Sequence, residues 1–198
     1  MSRNMTQTQQ GRDAGTAERA LDVAEALAQT RGFNGFSYAH VAAELGITKA
    51  GLHYHFPGKS ELGEALIARY SERFAGALTR IDDERPDARG RLDAYIDLYA
   101  DVLAGRRMCL CGMLAAEYET LPAPMADAII RFFDANQAWL TAVLEDGRAD
   151  GTLSFTGDAG EAAQAVIGTL EGAMLIARPY HDLSRFHAAA RRLLDGLT

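Results

Sequence analysis

The sequence predicts an all-α protein of about nine helices, with a small N-terminal three-helix domain followed by a larger helical body. Three observations carry this. Apolar residues recur at spacings of three and four, as in Leu62, Leu66, Tyr70, Phe74 and Leu78, the period that lines one face of a helix. Breakers fall between such runs, at Gly32, Gly46, Pro57, Gly58, Pro86, Pro122, Pro124, Gly151 and Pro179. No segment alternates at period two for long enough to make a strand. With 198 residues the chain can bury a substantial core.

Taken in order, the first dozen residues are polar and aperiodic, which predicts a disordered arm, and they lack the apolar stretch of a secretory signal. Thr16 is placed to cap the first helix, whose apolar face is Ala17, Ala20, Leu21, Ala24, Leu27 and Ala28. Gly32 ends it. Ser37 caps a second helix that buries Tyr38 or its neighbour with Val41, Ala42 and Leu45. Gly46 supplies the positive φ of the turn. Thr48 caps a third helix anchored by Ile47, Leu52 and Phe56. A long fourth helix runs from Lys59 toward Asp83. Leu92 to Leu103 mark a fifth, Arg107 to Tyr118 a sixth, Met125 to Leu144 a seventh. The eighth covers about Asp158 to Ala177 and the ninth about Leu183 to Leu197. The domain boundary is expected near residue 60, dividing 1–60 from 61–198.

Charge follows the same division. Residues 1–60 hold six Lys/Arg against five Asp/Glu, a net of +1; residues 61–198 hold fourteen against twenty-two, a net of −8. A near-neutral head can present a local basic face, while an acidic body discourages any other orientation on a polyanion. No apolar run approaches the roughly 20 residues that span a bilayer, so a cytoplasmic protein without membrane contact is expected.

The stretch SYAHVAAELGITKAGLHYHFPGKSEL, Ser37 to Leu62, has the layout of a helix-turn-helix. Burying Leu52 and Phe56 leaves Lys49, Gly51, His53 and Tyr54 outward or along the rim. Lys49 can reach a phosphate or a guanine edge, Tyr and His can donate to phosphates, and Gly51 lets backbone approach a duplex closely. Lys59 puts a cation at a helix N-terminus, a cost of roughly 0.3–1 kcal/mol that a phosphate partner would offset.

From Thr16 to Leu62 the chain resembles the DNA-binding domain of the TetR family of bacterial transcriptional repressors. The GF…S lead-in, VAAELGIT through the turn and the closing LHYHFPGKSEL carry the likeness. The chain departs from the family pattern at Ala50, often Gly, and at His53, often Tyr. The resemblance implies a homodimer on a palindromic operator, released by a small-molecule effector held in the body. It assigns DNA contact to Ser37, Tyr38, Lys49, Ala50, Gly51, His53, Tyr54, His55 and Lys59.

In the body, large adaptable side chains concentrate in helices five to eight. Tyr95, Tyr99, Met108, Cys109, Met113, Tyr118, Phe133, Trp139 and Met174 are the candidates for lining an apolar or aromatic effector's cavity; the alternative is plain core. Cys109 and Cys111 lie two apart, roughly 200° around a helix, which is poor for a mutual disulfide. Arg106 and Arg107 just upstream could activate a thiol, so a redox- or electrophile-sensing repressor is the second reading. Small residues in the last two helices (Ala163, Gly168, Gly172, Ala173, Ala188, Ala189, Ala190), with Val166, Ile167, Leu170, Phe186, Leu193 and Leu194, are the expected dimer interface. No Gly-rich phosphate loop, G-x-S-x-G or HExxH occurs. An enzyme is therefore not expected, nor a cofactor or metal site; an adaptor that uses the head without DNA is the remote alternative.

Overall fold

The computed structural model describes residues 2–198, with side chains from residue 15 onward. Among the described residues there are nine α-helices and no strand: α1 (Ser2–Arg31), α2 (Tyr38–Leu45), α3 (Lys49–His55), α4 (Lys59–Glu84), α5 (Ala88–Ala104), α6 (Leu110–Ala115), α7 (Ala123–Asp150), α8 (Ala159–Ala177) and α9 (Leu183–Asp195). Two 3₁₀ turns, Tyr118–Thr120 and Arg178–Tyr180, follow α6 and α8. No helix of the described residues is long and apolar enough to cross a membrane.

Two boundaries differ from expectation. α1 extends back to Ser2, so Thr16 lies inside the helix rather than capping it; the side chains of the expected arm lie outside the described residues. The sixth helix is shorter than its apolar pattern suggests. Arg106 takes a left-handed backbone (φ 57°) and breaks the chain after α5, and Cys109 becomes the N-cap of a six-residue helix.

α1, α2 and α3 form the head around Ala20, Ala24, Val41 and Leu52, all fully buried. The turn between α2 and α3 is made by Gly46, left-handed at φ 67° as its position demands. The Thr48 hydroxyl accepts the Gly51 N–H at 3.1 Å and sets the start of α3. α4 crosses from head to body. Against α1 it is held by ions: Glu25, 6% exposed, lies 3.0 Å from Arg69 and 2.5 Å from Arg73. Against α7 it is held by close packing, because Gly63 lets Met125 and the Phe33 ring approach the helix backbone.

The body packs α7, α8 and α9 side by side, with α5 across them, around Leu140, Leu144, Val166, Leu170, Phe186 and Leu194. This corrects part of the expected dimer surface. Val166, Leu170, Phe186 and Leu194 are consumed by intrachain packing, since each faces a neighbouring helix of its own chain. The other face of α8 stays open: a side chain at Gly168 or Gly172 would meet nothing within 4 Å, and Leu175 and Ile176 are about 60% exposed.

A Cβ at Gly63 would sit 2.5 Å from the Met125 sulfur and 2.9 Å from the Phe33 ring. Gly63→Val should therefore cost about 1–3 kcal/mol by overpacking, read as a lower urea midpoint. An unchanged midpoint would show that the crossing of α4 and α7 is looser than described.

Candidate functional site

The outward side of α2–α3 carries most of the expected DNA-contacting residues. Ser37, Lys49, Ala50, His53 and Tyr54 are exposed, Tyr54 by 75%, while Gly51 and His55 are half-buried. The support beneath them is rigid. Ser37 donates its backbone N–H to His40 Nδ1 at 3.1 Å, so a histidine closes the start of α2 where a Glu or Gln commonly does. The His53 ring lies on the Tyr38 ring at 4.6 Å, and His53 Nδ1 lies 3.0 Å from the Pro57 carbonyl. A carbonyl only accepts, so Nδ1 carries a proton there. The neutral ring then offers Nε2 as an acceptor; the imidazolium offers it as a donor.

Two expected contacts are corrected. Tyr38 is buried, with its hydroxyl 2.8 Å from the Phe56 carbonyl and 2.5 Å from that of Gly58. Burial, with Glu61 nearby, pushes that phenol up to about 12. Its polar end is used to tie α2 to the turn after α3. Lys59 is turned inward as well. Its ammonium donates to the carbonyls of Phe33 and Phe36 and lies 4.5 Å from the centroid of each of their rings. Burial lowers its pKa, and the Glu117 carboxylate acts in the opposite sense. Two carbonyls that would otherwise lack donors, together with two aromatic faces, hold this half-buried cation against the loop after α1.

Sequence reasoning missed the residues that fix the head to the body. Glu117, just before the first 3₁₀ turn, accepts the backbone N–H groups of Phe33 (2.6 Å) and Asn34 (3.2 Å). Asn34 adds a bond to the Thr120 hydroxyl at 2.7 Å. Gly32 (φ 81°) leaves space for that carboxylate, where a Cβ would collide with it. From the far side, Arg178 donates to the Thr30 carbonyl and to the Met113 sulfur. The Met108 N–H reaches the Gln29 carbonyl at 3.2 Å. No local pattern announces these partners, which lie some 80 to 150 residues apart.

The expected effector residues do not line the large cleft. Tyr95, Tyr99, Met108, Cys109 and Met174 are each 3% exposed or less. Their polar ends are mutually satisfied: the Tyr95 and Tyr99 hydroxyls are 3.1 Å apart, Tyr95 donates to Asn136 Oδ1 at 3.1 Å, and Asn136 Nδ2 donates to the Phe132 carbonyl. Trp139 stacks on Tyr95 at 5.5 Å and donates to Asp82. Phe133 edges onto Phe132, Met113 sits beside Arg178, and Tyr118 is 42% exposed on the 3₁₀ turn. This is a closely packed aromatic core, with one small void beside Tyr70, Phe74, Tyr99, Cys109 and Met174. The open volume, about 740 Å³, lies between α4 and α7. Ile67, Phe74, Leu78 and Phe132 form its apolar side, and Glu64, Glu72, Asp127 and Arg131 are its charged groups.

Cys109 and Cys111 are buried free thiols. Burial first, and the Glu171 carboxylate second, push both well above the ordinary thiol range. This is the opposite of the activation that Arg106 and Arg107 suggested: desolvation dominates, and no guanidinium offsets it. Glu171 reaches from α8 against Gly112 of α6, leaving no room there for a Cβ, and its Oε1 is buried without a partner. Burial pushes its carboxyl up to about 7. Among the described residues no three His, Cys, Asp or Glu side chains come together as metal ligands.

Two outcomes follow from this geometry. Tyr38→Phe should cost about 1–2 kcal/mol, since the one O–H set between the Phe56 and Gly58 carbonyls is lost, whereas Tyr54→Ala should stay within about 0.5 kcal/mol; equal urea midpoints for the two variants would contradict the tie. Glu171 holds its proton to higher pH when folded than when unfolded, from an ordinary 4.5 to about 7. Folding thus takes up a proton in that window, and stability falls as pH rises through it and stays lowered above. Glu171→Gln, which cannot ionise, should melt higher than the parent at pH 8 and show a flatter melting profile from pH 5 to 8. An identical profile would mean that the carboxyl is not desolvated.

Comparison with known proteins fits this arrangement. Residues 20–66 match the bacterial regulatory proteins of the tetR family, and residues 88–193 match the tetracyclin repressor-like C-terminal domain. A TetR-family transcriptional regulator from Agrobacterium tumefaciens is 34% identical, superposes with a TM-score of 0.91, and is matched over 94% of this chain and 99% of that one. The nucleoid occlusion factor SlmA of Vibrio cholerae is 28% identical over 77% of this chain and 78% of its own length. The HTH-type transcriptional repressor NemR of Escherichia coli is 25% identical over 90% and 94%. With a helix-turn-helix head, an all-helical body and both family domains matched in order, the chain belongs to the TetR family of DNA-binding transcriptional regulators, which are not enzymes.

Proposed function

We propose that the chain is a cytoplasmic repressor that grips a palindromic operator as a homodimer and releases it when a small molecule occupies the body. The observation that carries the DNA reading is the exposed set Ser37, Lys49, Ala50, His53 and Tyr54 on a capped and braced α2–α3 unit. Lys49 serves a phosphate or guanine, Tyr54, His53 and Ser37 serve phosphates, and Ala50 and Gly51 keep the helix close to the groove. His55 stands at the rim. Tyr38 and Lys59 position this surface from beneath. The head ends near residue 60 and the body fills the rest.

Half-sites about one helical turn apart require two heads at fixed spacing. The bare face of α8, with Gly168, Gly172, Leu175 and Ile176, favours a second copy packed through α8 and α9. Repression rather than activation is favoured by the name of the Escherichia coli relative. The effector is best accommodated in the cleft between α4 and α7, whose apolar side suits an aromatic or aliphatic body. α4 forms one wall of that cleft and its first turn carries Lys59, so a molecule wedged there strains the support of the head. The thiol-sensing alternative loses ground to the burial of both cysteines.

Anisotropy titrations with a symmetric duplex from the chain's own upstream region test this. Two chains should bind per duplex. Lys49→Ala should reduce the slope of log affinity against log salt by about one per chain. A folded dimer that binds no duplex at low salt would refute the reading.

A further inference from the structure

A second cleft, of about 430 Å³, lies at the opposite end of the body from the turn after α7, between the end of α5 and the turn joining α8 to α9. Leu103, Ala104, Ala177 and Leu183 give it an apolar floor, and Arg106, Arg178, His181 and Asp182 supply its polar groups. Its charge is unbalanced. Asp182 is engaged by Arg185 at 3.7 Å and accepts the Ser184 N–H at the start of α9. Among the described residues no carboxylate lies within ion-pairing distance of Arg106, Arg178 or His181, although the body as a whole is acidic. Arg178 spends two bonds on the Thr30 carbonyl and the Met113 sulfur, which leaves guanidinium N–H groups for a further acceptor.

The backbone singles out the same place. Arg106 (φ 57°) and His181 (φ 51°) are the non-glycine residues with positive φ among the described residues, and both line this cleft. Side chains with a Cβ disfavour that conformation. Strain of this kind persists where the surroundings enforce it, and it concentrates at ligand sites. Here it holds the Arg106 and His181 side chains at facing ends of two helices, where an extended backbone would carry them elsewhere.

We propose that this cleft binds a small organic anion, a carboxylate with a short apolar tail, distinct from the occupant of the α4–α7 cleft. Arg106 and Arg178 take the carboxylate, His181 flanks it, and the tail lies on Leu103, Ala104, Ala177 and Leu183. Arg178 is the same side chain that holds the last turn of α1 through Thr30. An anion taken up by the spare N–H groups pulls that guanidinium toward the cleft, lengthens its bond to the Thr30 carbonyl and loosens the end of α1. The site is thereby linked to the head through one side chain rather than through the large cleft.

Calorimetric titration of the full chain with sodium hexanoate, without DNA, tests the site independently of any operator. Saturable binding is expected, weakened roughly ten- to hundredfold in Arg106→Gln, a substitution at an exposed residue that leaves the core intact. Hexylammonium, with the same tail and opposite charge, should not bind there. No saturable hexanoate binding, equal binding of hexylammonium, or undiminished binding to Arg106→Gln would each overturn the proposal. Hydrogen exchange in residues 28–34 should quicken at saturating hexanoate; unchanged exchange would overturn the link to α1.

Discussion

Five backbone groups at the end of α1 must be satisfied for the head to sit still: the carbonyls of Thr30, Phe33 and Phe36 and the N–H groups of Phe33 and Asn34. No helix or strand serves them, and an unpaired buried backbone group costs about as much as a lost hydrogen bond. Three charged side chains from three places supply the partners. Arg178 comes from beyond α8, Glu117 from beyond α6 and Lys59 from the first turn of α4. Charge-assisted bonds are stronger than neutral ones, so a short loop becomes the most heavily tied segment of the head. The orientation of α3 on the body follows from this knot.

The body is built on the opposite principle. Around Phe74, rings of Tyr95, Tyr99, Tyr70 and Phe132 meet at 5.2–6.3 Å, largely edge to face. Their hydroxyls end on one another, on Asn136 or on a thiol. Such a core resists deformation, and the open α4–α7 cleft lies along one side of it, sharing Phe74 and Phe132. A molecule entering the cleft therefore presses against a stiff wall on the α7 side. The compliant partner is α4, which is continuous with the head.

The helices were legible because the information for them is local. Leu62 through Leu78 state their period in five residues, Thr48 and Ser37 mark starts, and Gly46 marks a turn that only a residue tolerant of positive φ can make. Lys59 was legible as a cation at a helix start, but its partners lie 23 and 26 residues upstream, in a loop without pattern. The nine body residues expected around an effector lie away from the large cleft, three of them (Tyr99, Cys109 and Met174) beside a small interior void instead, for a related reason. Large aromatic side chains read the same whether they fill a core or line a cavity. The actual space arises where Ala68, Ala75, Ala128 and Ala135 leave volume unfilled across two helices, and absent volume has no periodicity. On α8 and α9 the sequence pattern mixes two surfaces: Val166, Leu170, Phe186 and Leu194 serve the core of their own chain, while Gly168 and Gly172 lie on an open face.

The Arg178–Thr30 bond joins residues 148 positions apart, which fixes an order of events during synthesis. A chain leaving the ribosome can close the Lys59 bonds once α4 has emerged, so the reading head can assemble early. Glu117 follows, and Arg178 arrives only after α8 has been made. Until then the head is folded but not yet aligned with the body. A nascent chain that stops short of the end of α8 is in that sense a loosely hinged DNA-binding module, and control of its alignment is acquired only once that helix is complete.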